Sequence, residues 1–287
     1  MPRYRLTIAY DGTDFHGWQR QPMDDDHARR LGVEPGGELR TVQGEVERAV
    51  RETLREPGIN LLGASRTDAG VHALGQVAAF TSEPDPDRGV GWPAERGCDT
   101  LVRALNSRLD RDIVIRDADV TRDDFNPIAD ALTKEYTYTL APGAVRPLWQ
   151  RRYAFHTWYD LDPVRMHNAA QHLVGEHDFV SFAQINHGRT TTERTIHACS
   201  VEHIPADAMM ANPLFVDPHP LVRIRVSGSG FLYNMVRIIA GTLMEIGRGV
   251  IEADAIPGIL ASKDRRAAGP TLPPQGLRLE WIRHRDP

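Results

Sequence analysis

TVQGEVERAVRETL (residues 41–54) carries Val42, Val46, Ala49 and Val50 at helical spacing, so it reads as an amphipathic helix with one buried face. Thr41 stands where a hydroxyl can cap the first turn, although Gln43 and Gly44 are weak first-turn residues. On either side of this helix the apolar period drops to two. RLTIAY (5–10) upstream, and Ile59–Leu62 and QVAAFT (76–81) downstream, read as strands. A second helix is predicted over Leu101–Leu109 and a strand over Ile113–Val120, giving the order β-α-β-β-α-β. The second half repeats it. Thr133–Leu140 alternates as a strand, Pro163–Val174 is helical and Arg194–His203 is a strand. LVRIRV (221–226) alternates, Phe231–Ile246 is a long helix and Leu277–Arg283 closes as a strand. The expectation is an α+β chain of two tandem ferredoxin-like halves, 1–122 and 123–287, with antiparallel sheets and a cleft where the halves meet.

Two breaker-rich stretches interrupt this pattern, QPMDDDHARRLGVEPGGELR (21–40) and EPDPDRGVGWPAERG (83–97). The Asp24-Asp25-Asp26 run in the first is read as solvated acids in a loop. The 287 residues are 41% hydrophobic and 25% charged, which excludes a disordered tail, a collagen-like fibre and a coiled coil. No apolar run approaches the ~18 residues of a membrane helix, and the N-terminus reads as a strand rather than a signal peptide, so a cytoplasmic protein is expected. Cys98 and Cys199 alone form neither a disulfide framework nor a zinc set. The net charge of −5 argues against a nucleic-acid partner, but only two of the 34 basic residues are lysines. Arginine suits phosphate and base stacking, and genome composition produces the same bias, so composition leaves the partner open.

The chemistry concentrates in GASRTDAGVHALG (63–75). Arg66 and Asp68, two apart, share a face if the backbone is extended, and a guanidinium beside a carboxylate keeps it ionised. Such a pair either braces a loop or holds an active aspartate. As a metal ligand Asp68 has only His72 nearby; as half of a glycosidase pair it lacks a second acid in the segment, with Asp11 or Asp14 the outside candidates. As a lone nucleophile it needs an easily departing leaving group and surroundings that keep it charged. In GFLYNMVRIIAGTLMEIG (230–247), Arg237 interrupts a wide apolar stripe; it either snorkels to water or meets a carboxylate such as Asp68. In KEYTY (134–138), Lys134, Tyr136 and Tyr138 share one strand face, which suits a base-stacking platform as well as a sheet core. Arg20 closes the segment YDGTDFHGWQR, a mix suited to a nucleic-acid edge or a packed turn.

Together YDGTDFHGWQRQ (10–21), TVQGEVERA (41–49), SRTDAGVHALGQV (65–77), ALNSRL (104–109), KEYTY, DFVSF (178–182), RTI (194–196), the 230–249 block and PPQGLRL (273–279) resemble the TruA family of tRNA pseudouridine synthases, in the family's order and over almost the whole chain. The resemblance implies that Asp68 is the nucleophile of a uridine-to-pseudouridine isomerisation at tRNA positions 38, 39 and 40 in the anticodon arm. It implies that Tyr136 sits against the target base, Leu277 packs beside it, Arg237 pairs with Asp68, and Arg66 supports the loop and the RNA. It also implies a homodimer that binds tRNA and uses no cofactor and no metal. Where the family pattern carries an arginine, this chain reads Phe125-Asn126-Pro127-Ile128, so one phosphate contact is missing. Two other readings compete. One is a non-catalytic RNA-binding or chaperone protein, and the other a metal-dependent hydrolase built on Asp68, His72 and an acid from 11–14.

Overall fold

The computed structural model describes residues 1–21, 38–184, 191–205 and 220–285, so Asp24–Asp26, Arg29 and Arg30 of the first loop lie outside the described residues. The chain is mixed α+β with mostly antiparallel strands, and it divides into two compact units, Met1–Leu132 with Trp281–Pro287, and Thr133–Glu280.

The first unit runs β1 (Arg3–Tyr10), α1 (Val42–Leu54), β2 (Leu62–Gly63), β3 (His72–Thr81), α2 (Cys98–Asn106) and β4 (Ile113–Thr121). Its strand order is β4-β1-β3 with β2 beside β3, and every pairing is antiparallel. Along β1 burial alternates, so Tyr4, Leu6, Ile8 and Tyr10 turn to the core. The apolar face of α1 (Val42, Val46, Ala49, Val50, Leu54) is buried, and burying each larger aliphatic side chain is worth about 1.5–3 kcal/mol. The Thr41 hydroxyl caps α1 by accepting from the Gly44 amide at 3.3 Å.

The segment Ile59–Leu62 does not form the expected strand; only Leu62 and Gly63 pair, with Ala79 and Ala78. The reason is a buried carboxylate. Glu47 of α1 accepts the Leu61 amide at 2.9 Å, and Gln43 donates to the Leu61 carbonyl at 2.8 Å. The backbone of Leu61 is satisfied by side chains, so it has no call on a strand ladder. The second helix starts and ends three residues before its expected bounds, because Asn106 exchanges two hydrogen bonds with the Ile115 backbone and draws the chain out of the helix.

The second unit runs β5 (Ala131–Pro142), β6 (Phe155–Thr157), α3 (Pro163–Gln171), β7 (Gly175–Asp178), β8 (Glu193–Ile204), β9 (Leu221–Gly228), α4 (Met235–Gly247), α5 (Ile256–Ser262) and β10 (Leu277–His284), whose last residues belong to the first unit. The order is β10-β5-β9-β8-β7; β6 pairs with β5 in parallel. The strands β6 and β7 and the helix α5 are too short for periodicity to announce them. The long helix also starts later than expected. Phe231–Asn234 form a turn, and Asn234 sits in the left-handed region at φ 60°, a conformation that no helix interior contains.

Candidate active site

Asp68 lies in a turn between β2 and β3, half-buried, with buried Thr67 before it and exposed Ala69 after it. The Val71 amide closes the turn onto the Asp68 carbonyl at 3.1 Å, and Gly70 supplies the left-handed φ of 78° that the turn requires. Residues 10–18 grip this turn along its length. The Tyr10 hydroxyl lies 2.8 Å from Thr67 Oγ1, the Trp18 amide donates to the Thr67 carbonyl at 3.0 Å, and the Gly70 amide donates to the Phe15 carbonyl at 3.3 Å. Further along, His72 Nδ1 accepts the Gly12 amide at 3.0 Å and lies 3.2 Å from Asp11. Two glycines make the approach possible. A Cβ on Gly12 would stand 2.0 Å from the Val71 carbonyl oxygen, and one on Gly17 (φ 92°) would stand 2.7 Å from that of Thr67.

No period or motif in the sequence pairs Tyr10 with Thr67; the two glycines of YDGTDFHGW are the one local signal of this close approach. Arg66 is exposed on the same loop. Arg20 is tied to α1: it donates to the buried Glu47 at 2.5 Å and to Glu38, whose hydrogen bond, with that of Glu47, raises the guanidinium's pKa.

In the second unit the KEYTY strand is β5, and Tyr136 and Tyr138 are both buried on one face. Phe231 meets Tyr136 edge-to-face with ring centroids 5.3 Å apart. The Tyr138 hydroxyl donates to the Pro273 carbonyl at 2.7 Å, and burial pushes its pKa well above the ordinary tyrosine range against the opposing charge of Arg237. Gly276 packs so closely on the Tyr138 ring that a Cβ there would lie 2.6 Å from it. Arg237 projects from the first turn of α4. Its Nε donates to the Leu272 carbonyl at 2.7 Å and its Nη1 to Asn234 Oδ1 at 2.6 Å. The stretch 272–277 therefore gathers Arg237 at one end and Tyr138 in the middle, and it delivers buried Leu277 at the start of β10. Asp68, Arg66 and Arg20 belong to the first unit; Tyr136, Arg237 and Leu277 belong to the second.

Among the described residues no group of three His, Cys, Asp or Glu is arranged to hold a metal ion. His72 instead spends Nδ1 on the Gly12 backbone. Also among the described residues, no helix is long and apolar enough to cross a membrane. Ile128 is exposed.

A sequence model described as tRNA pseudouridine synthase, a class of isomerases, matches residues 169–284. Relatives match over nearly the full length. The chain is 42% identical to the tRNA pseudouridine synthase A of Geotalea uraniireducens, over 97% of this chain and 98% of that protein. It is 38% identical to that of Acetivibrio thermocellus, with the same coverage. It is 39% identical to that of Shouchella clausii, over 100% of this chain and 95% of that protein. The chain belongs to the tRNA pseudouridine synthase A family.

Proposed function

We propose that this isomerase converts uridine to pseudouridine at positions 38, 39 and 40 of the tRNA anticodon arm, with Asp68 as its nucleophile. The observation that carries the assignment is the Asp68 turn, a single half-buried carboxylate held from both sides by backbone and hydroxyl contacts. The chemistry asks for no more acid than this. The bond from C1′ of the ribose to N1 of uracil breaks, the ring turns, and a bond from C1′ to C5 forms; the C5 hydrogen leaves and N1 takes up a proton. No water is consumed, so a second carboxylate to activate one would harm the reaction. Uracil departs as a delocalised anion, which lessens the need for a strong acid. Tyr136 and Leu277 form apolar walls for the base, and Arg237 is the counter-ion that the family resemblance assigns to Asp68. Arg66, exposed on the loop, and Arg20 take the RNA backbone. A uridine in the arm must be flipped out to react, at a cost of a few kcal/mol.

The same reading takes the two units as tandem ferredoxin-like halves, supported in the first by the β4-β1-β3 order with β2 beside β3. It also takes the protein as a cytoplasmic homodimer without cofactor. What supports the dimer is the stretch 143–159 of the second unit. There Val145, Leu148, Trp149, Tyr153, Trp158 and Tyr159 are all exposed, among arginines and without one acidic residue. Aromatic and arginine enrichment with acid and lysine depletion is the composition of a protein interface.

The test is release of tritium from tRNA carrying 5-tritiated uridine, with EDTA present and no added cofactor. Joining the ribose to C5 must expel that hydrogen. Release by the wild type and none by Asp68→Asn is expected. Turnover by Asp68→Asn would refute the nucleophile, and silence from wild type that still binds the tRNA would favour the RNA-binding alternative.

A further inference from the structure

Asp68 is half-exposed, yet the turn is fixed on either side of it, at Thr67 and at Gly70. Thr67 is held at its side chain by the Tyr10 hydroxyl (2.8 Å) and at its carbonyl by the Trp18 amide (3.0 Å); Gly70 is held at its amide by the Phe15 carbonyl (3.3 Å). Tyr10, Thr67, Phe15 and Trp18 are all buried, so these bonds face little competition from water. The Tyr10–Thr67 pair differs from the others. It is the one contact of this set made between two side chains, and it links the end of β1 directly to the residue preceding the carboxylate.

We infer that Tyr10 and Thr67 are positioning residues: their hydroxyl pair sets the height of the Asp68 carboxylate relative to the carbon it attacks. Neither hydroxyl touches substrate in this role; both act through Asp68. The inference rests on the nucleophile assignment above. An attacking oxygen displaced by about 1 Å can lose on the order of 10²-fold in rate, so a small sag of the turn is enough to be seen. Removing either hydroxyl removes the same bond, which makes the two changes redundant rather than additive.

The experiment measures steady-state tritium release and thermal melting for Tyr10→Phe, Thr67→Val, the double variant and Thr67→Ser, each assayed well below its own Tm. The expected result is a kcat about 10- to 100-fold lower for Tyr10→Phe and for Thr67→Val, with KM for tRNA unchanged within about twofold. The double variant should be no slower than the slower single variant. Thr67→Ser, which keeps the hydroxyl, should recover to within about threefold of wild type. Wild-type kcat with a lowered Tm would overturn the inference and leave the pair a stabilising contact only. A raised KM at constant kcat would also overturn it, pointing to an RNA contact, as would losses that multiply in the double variant. Asp68→Asn run alongside separates the two readings. If it turns over, the nucleophile assignment itself has failed; if it is silent while Tyr10→Phe is fully active, only the positioning role has.

Discussion

Replacing Gly17 by alanine should both destabilise the protein and slow it, and the size of each effect can be worked from the local geometry. Gly17 has φ 92°, a region that costs an L-residue about 1–2 kcal/mol. Its new Cβ would stand 2.7 Å from the Thr67 carbonyl oxygen and 3.3 Å from both the Ala69 amide nitrogen and the Asp68 carbonyl carbon. These neighbours are backbone, with no flexible tip to swing aside, so overpacking adds about 1–3 kcal/mol. The sum, about 2–5 kcal/mol, is a large part of the ~5–15 kcal/mol that holds a domain together, but it leaves the protein folded. Melting should fall by roughly 5–20 °C for a chain of this size. Relief of the clash requires the Asp68 turn to retreat by about 0.7 Å, a displacement on the scale at which effective molarity is lost. Calorimetry, with tritium release at 25 °C, reads both effects. The control is Gly58→Ala, where an added Cβ meets nothing within 4 Å and the change should stay within about 0.5 kcal/mol. If Gly17→Ala melts alongside Gly58→Ala, the packing argument is wrong. If it melts low yet turns over like wild type, the turn's position does not govern the rate.

Other perturbations address the second unit and the alkaline limit. Arg237→Ala strips the donors from the Leu272 carbonyl and Asn234 Oδ1, and should cost about 2 kcal/mol in urea denaturation while abolishing tritium release. Arg237→Lys should not restore turnover, because an ammonium cannot reproduce the fork; restoration by lysine would contradict this. Tyr4 is raised to about 12, by burial first and then by the charges of Cys98, Glu95 and Glu56. Its unfolded form ionises near 10, so the stability it contributes is intact below about pH 10 and lost as the pH climbs through 12. Tyr4→Phe should flatten the loss of stability in that window, and an unchanged alkaline melting profile would count against it. The dimer proposed above should fall to monomer on Trp158→Ser in size-exclusion light scattering at low micromolar concentration, and an unaltered mass would remove the 143–159 stretch from the interface.

The places where sequence reasoning stopped share a cause. Val42, Val46, Ala49 and Val50 announce α1, and alternation announces β1, because period reports which face is buried. Ile59–Leu62 is apolar enough for a strand but lies where Glu47 and Gln43 claim the Leu61 backbone, a contact set by two side chains from another element. The 231–246 helix loses its first turn because Asn234 adopts a left-handed conformation and serves the Arg237 guanidinium three residues on. The apolar stripe left Arg237 two destinations, water or a carboxylate. Besides either of these, it donates to the backbone of Leu272 and to the Asn234 side chain, contacts that no periodicity announces.

The sequence by itself determined the types of the longer elements, the RTDAG turn with Asp68 as its one acidic side chain, and the family to which the chain belongs. Those are local or motif-level properties, carried by period, glycine placement and residue order. Tertiary structure alone decided what holds Asp68 still. Tyr10 and Thr67 lie 57 positions apart, and the backbone approaches at Gly12 and Gly17 are steric facts of a folded chain. The pairing of β1 with β3 brings the turn before β3 against the end of β1, and no local pattern in either segment encodes that contact.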